Sequence, residues 1–148
     1  MSIKIISFID SFKHYENPIK EFQKRLGKTI ELIKLKPVKN WNIIEKETDI
    51  LIGILNKEKW FKIVLNPNWK NLSTEEFYDL IELKKQIYKN IIFIIWWANW
   101  IEYSRIKHLV DFELNFWKMI MPHILIILVL IEQIYRITMI KKWTNYHK

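Results

Sequence analysis

Short β-branched runs alternate with longer helical spacings along the whole chain, and this rhythm sets the expected architecture. Residues 4–8 (KIISF) form a short apolar run that reads as a buried strand. Residues 18–26 place Ile19, Phe22 and Leu26 on one helical face. Residues 30–35 alternate as a second strand, and residues 43–55 return to helical spacing. Residues 62–65 (KIVL) predict a third strand, closed by a turn at Asn66-Pro67-Asn68. Ser73-Thr74-Glu75-Glu76 is a capping box, with Ser73 as N-cap, and opens a helix to about Tyr88. Residues 91–95 (IIFII) are the strongest strand signal. A short helix over 104–109 and a short strand over 112–116 follow. Pro122 is expected as the first residue of a final helix reaching Ile140.

Alternating strands and helices predict an α/β domain over residues 1–148, with a mostly parallel sheet flanked by helices. The final helix is apolar nearly all round between residues 124 and 131. Such a helix has to be buried on more than one side. In a chain this small the second side is expected to come from another subunit.

Composition narrows the partner. Lys and Arg number 24 against 16 Asp and Glu, a formal charge of +8. That excess suits RNA, DNA or an acidic membrane surface, or simply a solvated basic exterior. The absence of cysteine excludes disulfides, thiolate metal sites and cysteine nucleophiles. The four histidines, His14, His108, His123 and His147, are scattered with no metal-ligand spacing, so no metal is expected. The first residues lack the apolar core of a signal peptide. The most apolar segment, 124–131, is about half the length that spans a bilayer. No membrane role and a cytoplasmic location are therefore expected. No Gly-x-Gly-x-x-Gly fingerprint is present, which argues against a Rossmann methyltransferase.

The C-terminal third carries a specific pattern: Met121-Pro122-His123, then Leu130-Ile131-Glu132-Gln133-Ile134-Tyr135-Arg136, then Tyr146-His147-Lys148. Upstream stand Leu114-Asn115-Phe116-Trp117-Lys118-Met119, the 65–77 segment with its Leu-Ser-x-Glu, and Tyr15 followed by Glu21-Phe22-x-Lys24-Arg25-Leu26. Together, in this order, they resemble the ribosomal RNA large subunit methyltransferase H family of the SPOUT superfamily. The resemblance implies a SPOUT fold with a C-terminal trefoil knot, a homodimer, and S-adenosylmethionine bound in the knot. It implies methylation of N3 of a pseudouridine in 23S rRNA within the ribosome. It assigns cofactor binding to Leu65, Trp96, Trp97, Leu114, Asn115, Phe116, Trp117, Lys118 and Met119. It assigns catalysis or substrate contact to His123, Glu132, Arg136, Tyr146, His147 and Lys148.

The chain departs from that pattern in one direction. It has eight Trp and only two Gly, where Gly is ordinarily about 7% of residues. The family's Gly-Gly-x-x-Gly loop reads Trp96-Trp97-Ala98-Asn99-Trp100 here. Trp69, Trp60, Trp117 and Trp143 also stand where glycine or another small residue is common, whereas Trp41 lies in a variable loop. Glycine allows close backbone approach to a ligand; tryptophan fills that space. The expectation is that UGA codons for glycine have been read as tryptophan. The alternative is a catalytically inactive, dimeric RNA-binding homologue with an aromatic-filled cofactor site. Ile124 and Ile127 replace the family's usual Gln and Arg, and recoding does not account for them.

Overall fold

The computed structural model describes residues 2–39, 41–57, 59–95, 102–116, 119 and 121–142, with the side chains of 66–69 left aside. The strands are β1 (Ser2–Phe8), β2 (Ile30–Leu35), β3 (Phe61–Asn71), β4 (Asn90–Ile95) and β5 (Phe112–Asn115). The helices are α1 (Glu16–Leu26), α2 (Ile43–Lys57), α3 (Thr74–Ile87), α4 (Tyr103–Ile106) and α5 (His123–Lys141). The five strands form one sheet in the order β2-β1-β4-β3-β5, and every pairing is parallel. Parallel strands need crossover connections, and helices supply them, so both sheet faces are covered.

The period-two alternation of the strands sorts their side chains between two cores. Ile3, Ile5, Ile63, Leu65, Ile91 and Phe93 pack on one face with residues of α1, α3 and α5. Ile6, Val64, Ile92 and Ile94 pack on the other with Leu51 and Leu55 of α2 and Ile106 of α4. Gly27 ends α1 with φ of 60°, a backbone region in which glycine carries no Cβ penalty.

Two expectations change. The turn at Asn66-Pro67-Asn68 does not end the third strand, because β3 continues to Asn71. Leu65 and Lys70 both pair with Leu114, so the chain between them is pushed out of the ladder. Proline has no N–H for the ladder, which makes a bulge the natural place for it. Pro122 also lies one residue outside its expected position, as the N-cap of α5 with ψ of 141°.

Helix α5 is the central packing element of its face. Ile127, Leu130, Ile131, Ile134 and Ile137 are buried at i, i+3, i+4, i+7 and i+10 spacing. Its 19 residues also meet the length and hydropathy of a membrane span, which the 124–131 segment alone does not, but only 28% of its most apolar stretch is buried. Glu132, Gln133 and Arg136 interrupt the remaining surface.

Candidate active site

The ends of the three adjacent strands β4, β3 and β5 lie in register. Ile95 pairs with Leu65, and Leu65 pairs with Leu114. Two strand spacings, about 10 Å, therefore separate the exit of β4 from the exit of β5. The segment beginning at Trp96 leaves from the first, and the 114–119 segment from the last, with the β3 bulge between them. Leu65 and Leu114 are buried side by side, Asn115 is buried at the same end, and Phe116 lies partly buried beyond it. Phe116 meets Phe77 of α3 edge to face, ring centroids 5.9 Å apart. Met119 is 75% exposed. Trp96, Trp97, Trp117, Lys118, Tyr146, His147 and Lys148 lie outside the described residues.

A contact that the sequence did not suggest lies on the opposite face of the sheet from Leu65 and Leu114, beside the α2-side core. The Tyr103 hydroxyl donates to the Glu113 carboxylate. Burial, followed by that carboxylate, raises the phenol well above its ordinary range and keeps it protonated. Tyr103 begins α4 and Glu113 lies in β5, so the bond ties α4 to the last strand of the sheet.

Glu132 and Arg136 come together one turn apart on α5. Arg136 donates from Nε at 3.0 Å and from Nη2 at 2.7 Å, both to Glu132 Oε1. Both side chains are about three-quarters covered, so the pair is sheltered from the screening that weakens surface ion pairs. The other carboxylate oxygen, Oε2, accepts Gln133 Nε2 at 2.7 Å. Gln133 Oε1 in turn accepts the Thr74 hydroxyl at 2.9 Å, across to the first residue of α3. Neither Thr74 nor Gln133 was among the expected site residues, although the capping box that holds Thr74 was legible.

His123 is the first residue of α5 and is partly buried. Burial pushes its imidazole down to about 4, so it is neutral at neutral pH. Glu132 lies nine positions further on, which is about 13 Å along the axis and about 180° around it. One chain therefore does not bring His123 onto the face that carries Glu132 and Arg136. Among the described residues no group of three or more metal-ligating side chains could hold an ion.

The comparisons fit this geometry. The family described as "Predicted SPOUT methyltransferase" matches residues 1–147. Proteins named Ribosomal RNA large subunit methyltransferase H are similar along nearly their full length. One, from Caldicellulosiruptor bescii, is 37% identical over 99% of both chains. Relatives from Streptococcus suis and Fusobacterium nucleatum are each 34% identical over 92% of both chains. The chain belongs to the SPOUT methyltransferases and, within them, to the ribosomal RNA large subunit methyltransferase H family.

Proposed function

We propose that this chain methylates N3 of a pseudouridine in 23S ribosomal RNA, with S-adenosylmethionine as donor, acting as a cytoplasmic homodimer on the ribosome. The observation that carries this reading is the shared register of Ile95, Leu65 and Leu114, which gathers three strand exits at one edge of the sheet. The described residues fit an adenosyl group. Leu65 and Leu114 extend the apolar core to this edge, and Asn115 sets a polar residue at the same end. The segments leaving β4 and β5 would form the rest of the pocket within the family's C-terminal knot. When bound, S-adenosylmethionine would supply an electrophilic methyl on a sulfonium and depart as the neutral thioether, with the N3 proton passing to solvent.

The protein's part is to orient the base and favour loss of that proton. An imidazole with its pKa near 4 is a weak base at neutral pH, so His123 acts as a hydrogen-bonding contact. The Arg136 guanidinium, kept in place by Glu132, stabilises negative charge developing on the base. The family pattern adds Tyr146, His147 and Lys148 as further substrate contacts. Because His123 and Glu132 face opposite ways on α5, a site using both draws them from two chains. Partly covered Ile124, Ile126 and Leu128 give α5 an apolar surface for the second copy.

Glycine at positions 96, 97 and 100 is part of the reading, since three indoles would crowd an adenosyl pocket. Trp41 does not bear on recoding: it is 84% exposed, and the left-handed residue in its turn is Asn42, at φ 66°. Trp60 speaks for tryptophan at its own position, for it packs beside the α2-side core with Lys4 Nζ 4.3 Å over its ring.

The test is transfer of labelled methyl to large ribosomal subunits by the chain as written and by a version with Gly at 96, 97 and 100. Methylation mapped to a pseudouridine is the expected result for the glycine version. Failure of both versions to bind S-adenosylmethionine leaves the inactive RNA-binding homologue as the correct reading. Codons other than UGA at these positions dispose of recoding.

A further inference from the structure

Gln133 and Glu132 are neighbours in sequence, and adjacent helical side chains normally diverge by about 100°. Here they meet, because the Gln133 amide bridges α5 and the start of α3. A carboxylate only accepts hydrogen bonds, so the group facing Glu132 has to be the amide nitrogen. The amide oxygen is then committed to the Thr74 hydroxyl, which donates to it at 2.9 Å. Thr74 is itself held by the capping box around it. Ser73 Oγ accepts the Glu76 N–H at 3.1 Å, and Glu76 Oε2 accepts the Ser73 N–H at 2.7 Å. The result is a chain of bonds from a rigid helix end through Thr74, Gln133 and Glu132 to Arg136.

We infer that Gln133 is a positioning residue for the Glu132–Arg136 pair, and that the Thr74 hydroxyl sets its orientation. The inference rests on the reading of Glu132 and Arg136 as substrate-side groups. With Oε1 taken by the guanidinium and Oε2 by the amide, the carboxylate turns only by giving up both bonds. The guanidinium plane is fixed accordingly and presents its charge to RNA in one direction. Thr74 lies just beyond the end of β3, the strand that carries Leu65, so the relay also links the cofactor edge of the sheet to α5.

Thr74→Val removes the hydroxyl and keeps the shape, Thr74→Ser restores it, and Gln133→Leu removes the bridge at its centre. Two quantities are read on the folded full chain: hydrogen exchange of the Arg136 Nε–H by NMR, and kcat against KM for methyl transfer to large ribosomal subunits. In Thr74→Val and Gln133→Leu the exchange is expected to quicken about tenfold, the scale of one hydrogen bond to a charged group. The value of kcat falls, KM for S-adenosylmethionine stays within about twofold, and Thr74→Ser recovers both readings. Arg136 exchange that does not respond overturns the inference whatever the activity. So does an unchanged kcat in an active enzyme. If exchange responds as expected but the parent with Gly at 96, 97 and 100 transfers no methyl, the relay stands and the proposed function fails.

Discussion

Arg136 grips a single oxygen of Glu132 with two of its nitrogens, leaving the second oxygen to the neighbouring amide. Glu132→Gln removes the charge that holds the guanidinium. If the pair serves the substrate, methyl transfer falls by about tenfold or more, while chemical unfolding shows a loss of only about 1 kcal/mol. Loss of stability and activity in equal measure would mark the pair as structural alone.

His123 makes acid stability a reporter of its own burial. The unfolded imidazole takes its proton near the ordinary value of 6.5, whereas the folded one does so only near 4. Between those values the unfolded state binds more protons, so stability drops as pH is lowered through the window and is unaffected above it. The full drop is at most about 3 kcal/mol. His123→Gln is expected to flatten this slope, which urea unfolding at pH 7 and pH 4.5 would measure.

Lys13 has φ of 47°, a left-handed backbone that lysine rarely adopts. Lys13→Gly relieves that strain and is expected to stabilise the fold by about 1 kcal/mol, seen as a rise in Tm of roughly 2–4 °C. A lower Tm would show that the side chain contributes more than its backbone costs.

Ser73→Ala breaks the capping box at the start of α3, where Ser73 Oγ accepts the Glu76 N–H. The expected loss is about 1 kcal/mol. If the helix end anchors the relay, Arg136 Nε–H exchange quickens as well. Thermal unfolding and NMR of the variant check both effects.

The sheet and its helices were legible because each strand has a short, strongly apolar run and each long helix a clear face. The capping box placed the start of α3 to the residue. The β3 bulge was not legible, since Asn66-Pro67-Asn68 signals a turn whether the strand stops or resumes, and only pairing with Leu114 decides between them. Within the candidate site, the C-terminal pattern singled out Glu132 and Arg136, whose contact follows from i, i+4 helical geometry. The Gln133–Thr74 bond joins residues 59 positions apart and has no periodic trace. Helical rotation alone puts His123 and Glu132 on opposite faces, although their shared motif suggests one site.

The double use of Leu114 by Leu65 and Lys70 has a consequence for change in this chain. The ladder is anchored on both sides of the expelled stretch, so a residue inserted or deleted there alters how far the loop protrudes while Val64 and Asn71 keep their partners. Length variation can thus be absorbed at this edge of the sheet without sliding the hydrophobic layers beneath it.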